Sequence, residues 1–398
     1  MEGNTAWMLI STALVLFMVP GLALFYGGMV RSKNVLNMLN MNTYCLGIVP
    51  LVWVLIAFSL GNNGDGDGLE AFIGNLDALG LKDVKGTDAL IAVAFSMTFA
   101  AITPALIAGA VADRMKFSAW AIFVPIWSLI VYTPVFYWVY VGWHHSKLDP
   151  AAIDFAGGTA IHINAGVAAL ALVMVLGKRA GWPDQAMPPH NLPFVMLGAG
   201  ILWFGWFGFN GGSAFAADGV AAQAVLNTFV AGAAGMVAWL AIEWKRDGHA
   251  TTLGGASGVV AGLVAITPAA GFVGGLAPIV FGFVASVCCY FAIQLKAKFG
   301  YDDSLDVVGI HMVGGIVGGV LLGFFADASV NGVDGLFFGD GGLVISQVIA
   351  IVSVIAYSGI VTFGLAKLLD HVMGLRVSSD EELTGLDQTQ HAETAYVD

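Results

Sequence analysis

Two histidines lie in apolar stretches of this sequence and share the same neighbours. His162 sits in Ile161-His162-Ile163-Asn164-Ala165-Gly166 and His311 in Ile310-His311-Met312-Val313-Gly314-Gly315, a common Ile-His-x-x-x-Gly. An ionisable side chain deep in an apolar span is costly and marks a functional position by default. Neutral imidazole is far cheaper to bury than a permanent charge, and it both donates and accepts a proton. Two such rings facing one another would line a narrow path and pass a proton along it. A lone histidine of this kind is more often a core residue bonded to a backbone carbonyl; the matched pair favours the proton path. Asp154 and Asp306 stand near the starts of the two segments, where an aspartate can cap backbone N–H groups and favour the helix dipole. Capping is the first expectation for both. Asp154 would also favour a cation at its end of the path.

A second set of residues is aromatic. Phe95 and Phe99 are one helical turn apart on one face, and Trp206 and Phe209 share a face of another helix, followed by Asn210 and Ser213. Spacing alone makes core packing the first expectation for these rings.

The elements that position these residues follow from composition. The chain has 398 residues, 58% hydrophobic and 11% charged, against about 25% charged in a soluble domain. Mean hydropathy is +0.84. So few charges cannot cover a water-facing surface, so most of the exterior must face lipid. The 53 glycines fit close packing of membrane helices. The net charge of −12 argues against a nucleic-acid partner. Cys45, Cys288 and Cys289 lie in apolar runs and match neither a disulfide framework nor a zinc spacing. Met1-Glu2-Gly3-Asn4-Thr5 lack the basic start of a secretory signal, so the first apolar run is expected to be a retained span.

Apolar runs predict an all-α polytopic membrane protein with eleven transmembrane helices, at 6–28, 40–60, 88–111, 118–139, 158–177, 193–211, 224–244, 252–268, 274–296, 307–326 and 342–370. Basic residues test the count. Arg31, Lys33, Arg114, Lys116, Lys178, Arg179, Lys245, Arg246, Lys296, Lys298, Lys367 and Arg376 all fall after odd-numbered helices; of the 15 basic residues only Lys82, Lys85 and Lys147 do not. The positive-inside rule then puts the N-terminus outside and the C-terminus in the cytoplasm. An odd count also suits an inverted five-plus-five helix repeat plus helix eleven, with His162 and His311 in the last helix of each half. Residues 1–370 form the membrane domain. Residues 371–398, acidic and polar, form a cytoplasmic tail whose composition alone fits an unstructured segment.

Over nearly its full length the sequence resembles the ammonium transporter (Amt/Mep/Rh) family, Amt branch. The resemblance rests on Asp154-Phe155-Ala156-Gly157-Gly158-Thr159 with His162, on Trp206-Phe207-Gly208-Phe209-Asn210-Gly211-Gly212-Ser213, and on Gly262-Leu263-Val264-Ala265-Ile266-Thr267-Pro268-Ala269-Ala270-Gly271. Asp306 with His311, and the tail residues Gly374-Leu375-Arg376-Val377-Ser378, Gly385-Leu386-Asp387, His391 and Ala395-Tyr396, complete it. It implies a homotrimer in the plasma membrane with a narrow pore for ammonium/ammonia (and methylammonium) in each protomer, and no enzymatic activity. By carry-over, Phe99, Ser213, Tyr140 and Asp154 would recruit substrate at the outer mouth. Phe95 and Phe209 would stack as a gate, His162, His311 and Trp206 would line the pore, and Ser257 would mark its cytoplasmic side. Deprotonation at or above the gate, ammonia passage and proton transfer along the histidines would follow. The tail would dock on the cytoplasmic face of the trimer, where a PII-type signal protein plugs prokaryotic relatives. No cofactor or metal is implied.

The sequence departs from the family in places. The family's tryptophan roof is replaced by Tyr137-Trp138-Val139-Tyr140-Val141-Gly142-Trp143-His144-His145, with Tyr140 at the roof position and Trp143 as the alternative ring. Tyrosine is the weaker cation–π partner, so a weaker or rearranged outer site is expected. Ser96 stands where glutamine is common and Asp113 where glutamate is. His144-His145 could bind metal or tune a pH response, with a solvated loop the first expectation. An ammonium sensor of the same fold with little flux is the alternative function. An intramembrane metalloenzyme would need further carboxylate or histidine ligands at membrane depth, which the helices nearly lack, and the Phe–Trp stretches and tail favour the Amt branch over an Rh-type gas channel.

Overall fold

The structure, a computed structural model, describes residues 2–396; Met1 and the last two residues of the 371–398 tail lie outside it. Helices account for nearly all regular structure, because a backbone crossing hydrocarbon must satisfy its own N–H and C=O groups. Among the described residues ten helices are long and apolar enough to cross: α1 Glu2–Met29, α2 Ser32–Asn62, α3 Thr87–Ala108, α4 Phe117–Ser146, α5 Gly158–Leu176, α6 Leu192–Gly212, α7 Gly219–Asp247, α9 Ala277–Phe299, α10 Val308–Phe325 and α11 Gly342–Met373. Between α7 and α9 lies α8, Thr252–Ile266, apolar but only 15 residues long. At 1.5 Å per residue it spans about 22 Å, less than the roughly 30 Å of a hydrocarbon core. Turns at 267–272 carry the chain onward.

Loops gather on two faces. On the C-terminal face, Arg31 after α1 bonds Asp113 after α3 at 3.0 Å, and Arg179 after α5 bonds Asp302 before α10 at 2.8 Å. Arg114, fully buried, donates to the carbonyls of Gly177 and Asp302 and to the Ser304 hydroxyl. Burial alone would raise the Asp302 carboxyl, but the Arg179 hydrogen bonds and the Arg114 charge hold it below the usual range.

The tail is folded onto this face rather than unstructured. Residues 375–377 pair with the α3–α4 loop through Lys116 N–H to Leu375 O and Val377 N–H to Arg114 O. Two short helices follow, α12 Ser379–Thr384, with a capping box from Ser378 and Glu381, and α13 Leu386–His391. Glu382 and Asp387 are buried: Glu382 bonds Arg376 and accepts from Ala180 N–H, and Asp387 accepts from the N–H groups of Leu36 and Asn37 at the start of α2. The tail's acidic residues therefore fill positive helix and loop ends, a role that its composition did not reveal.

Four spans contain π-helical turns: Trp53–Ala57, Ser128–Tyr132, Gly158–Ile163 and Val308–Met312. The first two each follow a proline by three residues, Pro50 and Pro125. The other two contain the histidines. Such turns insert an extra residue into the helix and are frequent at functional sites.

Candidate functional site

Helices α5 and α10 cross at their glycines. A Cβ on Gly166 would stand 2.4 Å from the backbone N of Met312, and one on Gly315 would stand 2.8 Å from Ile163 and 2.9 Å from the Gly158 carbonyl. Each glycine lies four residues after its own histidine and meets the residue following the other. The repeated Ile-His-x-x-x-Gly is thus the footprint of a reciprocal close crossing, and it drives the two imidazoles together. Their Nδ1 atoms are 3.2 Å apart, the rings are within 16° of parallel, and both side chains are buried. Trp206 stacks on His162 at 5.4 Å and is fixed by its own indole N–H, which donates to Thr267 Oγ1 at 2.8 Å. His162 Nε2 is buried without a protein partner.

Asp154 precedes His162 by eight residues and holds the start of α5. Its carboxylate accepts from the N–H groups of Gly157, Gly158, Thr159 and Ala160 at 2.7–2.9 Å. Burial pushes its carboxyl upward in pKa and these four donors oppose the shift. Asp154 does not line the chamber described next; its oxygens are occupied by backbone, the expected capping role in full. The counterpart before α10 is Asp303, not Asp306. Asp303 also precedes its histidine by eight residues and accepts from Val308 N–H at 2.7 Å, whereas Asp306 has φ +64° and bonds Lys296. The equal Asp-x₇-His spacing was the signal in the sequence that would have found it.

A chain of cavities runs past the histidines. At the N-terminal face a chamber of about 230 Å³ is lined by Phe95, Ser96, Phe99, Phe136, Tyr140, Phe155, Ser213 and Phe215, among others. Tyr140 rests on Phe136 at 4.8 Å. Trp143 instead packs on Phe72, Trp138 and His144 and does not line the chamber. The ring stacked on Phe209 is Phe99, at 4.3 Å and 17°, and not Phe95 as expected. Phe95 lies above, against Phe99 at 4.8 Å and edge-on to Phe215. Since Phe99 is one turn further along α3, it reaches the level of Phe209 and leaves Phe95 to the chamber wall. Phe215, which sequence reasoning missed, sits in a left-handed turn (φ +54°) just beyond Ser213.

Below the stacked pair the passage narrows to about 10 Å³ between His162, His311, Trp206, Phe209, Phe25 and Leu106. That is roughly the room of a single water-sized probe. A further small chamber of about 20 Å³ is bounded by His311, Tyr26, Ser257 and Asp306. It leads to a vestibule of about 260 Å³ with Arg31, Asp113, Arg179, Lys296 and Asp306 on its walls. Ser257 thus lies on the C-terminal side of the histidines.

His144 is not in a solvated loop. It is buried, with Nε2 at 2.8 Å from Ser353 Oγ and its ring against Trp138 and Trp143, while His145 is exposed. Among the described residues no group of three or more His, Cys, Asp or Glu side chains is placed to hold a metal ion.

Comparisons with known proteins place the sequence and the fold. The model of the Ammonium Transporter Family matches residues 6–396. An ammonium transporter of Mycobacterium bovis is 50% identical, over 99% of this chain and 90% of its own length. The crystal structure of Saccharomyces cerevisiae Mep2 superposes with a TM-score of 0.89 at 34% identity, covering 96% of this chain and 88% of that one. A solved sensor Amt protein gives 0.91 at 25% identity, covering 98% of each chain. A multi-pass membrane protein with paired buried histidines between an outer chamber and an inner vestibule, this chain belongs to the ammonium transporter family.

Proposed function

We propose that the protein carries ammonium across the membrane, with the N-terminal face outside and the C-terminal face in the cytoplasm. The clustering of basic residues on the C-terminal face supports that orientation, and the reciprocal α5–α10 crossing supports an inverted repeat. The observation that carries the transport reading is the 3.2 Å imidazole pair on a passage too narrow for a hydrated ion.

Selection begins in the outer chamber. The Ser213 hydroxyl donates to the Phe209 carbonyl at 2.8 Å, so its free lone pairs accept from an N–H donor. The faces of Phe95 and Phe99 and the Tyr140 ring attract a cation. Potassium has similar charge and size but no N–H to give and no proton to lose. Passing the Phe99–Phe209 stack strips the ion of water, which favours its neutral form as burial does for lysine. Ammonia then moves along the apolar passage. Asp154 acts at a distance, as a fixed negative charge and as the cap that holds the π turn of His162.

The histidine pair can move the proton that remains. An Nδ1–Nδ1 hydrogen bond between neutral imidazoles needs one Nδ1–H and one bare Nδ1. The first ring then has a bare Nε2 and the second an Nε2–H. A proton taken up at the bare Nε2 shifts the shared proton across and releases one from the far Nε2. The pair returns to rest with both tautomers exchanged.

The sensor alternative is not favoured. The curated ammonium transporters are 40–50% identical to this chain, against 25% for the sensor Amt protein. The carried-over homotrimer, and a regulatory role for the docked tail, belong to the same proposal. Purified protein in liposomes tests it: ammonium should evoke uptake and current and potassium should not, and equal responses to the two ions would refute it.

A further inference from the structure

The two aspartates that precede the histidines are held differently. Asp154 has four N–H donors on its two oxygens. Asp303, 1% exposed, has Val308 N–H on Oδ2, and its Oδ1 is buried with no partner. A bare carboxylate oxygen in that position is disfavoured relative to a protonated one.

The groups facing Asp303 come from several elements. Asp306 shares its loop. Lys296 of α9 bonds Asp306 Oδ1 at 2.5 Å and the Asp303 carbonyl at 3.0 Å. Tyr26 of α1 and Tyr301 lie within electrostatic reach, as does Arg179, whose charge is engaged by Asp302. Burial and then the Asp306 charge push the Asp303 carboxyl up to about 6, against Lys296 and the N–H groups of Val308 and Val307. The same two carboxylates, after burial, push the Tyr301 hydroxyl up to about 12. Asp306 faces both the small chamber under His311 and the vestibule.

We propose that the Asp303–Asp306 pair, braced by Lys296, is the proton station at the inner end of the passage. It takes the proton that leaves His311 and returns it to ammonia entering the vestibule. This rests on the transport reading. An N–H bond at His311 breaks as an O–H bond forms on the Asp306 carboxylate, along the solvent of the inner chamber. The Asp306 charge disfavours a second negative charge on the buried Asp303 carboxyl, so that carboxyl keeps its proton more readily. Ammonia, the stronger base, removes that proton to give ammonium and restore the pair. No electrons are exchanged. Asp306 borders the path, whereas Asp303 is a positioning residue that keeps one proton in the pair.

The test uses Asp303→Asn, which keeps the size and an acceptor for Val308 N–H but cannot titrate. Ammonium-evoked current and methylammonium uptake are measured in proteoliposomes as the internal pH is stepped from about 7.5 to 5. Wild type should lose about tenfold in current between pH 7 and 5, following one group with a midpoint near 6, because a protonated pair cannot accept. D303N should change less than about twofold over the same range. A D303N profile that keeps the tenfold fall, or lies below wild type by one factor at every pH, overturns the proposal. If D303N does not assemble, Asp306→Asn removes the like charge and should move the midpoint down by about one unit; an unmoved midpoint overturns it equally. Wild type that carries no ammonium at any internal pH overturns the transport reading and this proposal together. Wild-type transport with a D303N profile that tracks it overturns this proposal alone.

Discussion

The segments 154–166 and 303–315 have the same spacing from aspartate to histidine to glycine, yet one is closed and the other open. Around Asp154 every carboxylate oxygen is matched by backbone N–H, and Gly157 takes the left-handed turn (φ +107°) that lets those groups converge. Around Asp303 the Val308 N–H makes the one well-formed bond, at 2.7 Å to Oδ2, and Lys296 and Asp306 make the loop a charged cluster instead. Shared spacing reproduces the geometry of the crossing. The groups filling the space around each aspartate decide whether it is a fixed cap or a titrating one.

The largest effect expected from breaking this comparison is Asp154→Ala against Asp303→Ala. The first strands four buried N–H groups and should destabilise the protein by several kcal/mol, enough to prevent assembly. The second strands one and should cost about 1–3 kcal/mol. Thermal unfolding of the detergent-solubilised protein separates them, and equal losses would show that the two caps are equivalent. Next come the crossing glycines. Gly166→Ala puts a methyl against backbone at 2.4 Å, where nothing can yield, while Gly315→Ala meets the Ile163 side chain first. Both should destabilise, by about 1–3 kcal/mol for over-packing, with Gly166→Ala the worse; the reverse order in the same unfolding assay would contradict the crossing described.

Much of this was legible in the sequence. Composition placed ten long spans and the shorter α8 within a few residues at most ends, against the eleven full spans expected, and the buried histidines stood out because no other His, Asp, Glu, Lys or Arg lies in the middle of an apolar run. What was not legible depends on rotation and depth along helices. Phe95 and Phe99 lie on one face, so spacing could not tell which one is level with Phe209. The roof was ambiguous between Tyr140 and Trp143 because the break at 141–142 turns the chain away between them. Asp306 drew attention by proximity to His311, although the eight-residue spacing pointed to Asp303. Composition alone made the tail look unstructured, because Asp387 and Glu382 find N–H partners in α2 and the α5–α6 loop more than 200 residues away in the chain, while its match to the family's tail residues pointed to docking.

Smaller effects sharpen the outer half. Phe99→Ala removes one plate of the 4.3 Å stack and should admit ions the wild type excludes, read as a rise in potassium-evoked current; Phe95→Ala should not. Equal leakage in both would return the gate to Phe95. Tyr140→Trp enlarges the ring at the roof and should tighten half-saturation by no more than about fivefold, the equivalent of roughly 0.5–1 kcal/mol of cation–π attraction. No change there would remove Tyr140 from substrate recruitment.

The central claim, that ammonium is carried past His162 and His311 with its proton relayed between them, is tested most directly by current and uptake measured on the same proteoliposomes. Wild type, His162→Ala and His311→Ala are compared on solid-supported membranes and in tracer uptake. The account predicts that each substitution abolishes the ammonium-evoked current or changes the charge carried per ammonium. Wild-type currents and wild-type uptake in both variants would contradict it.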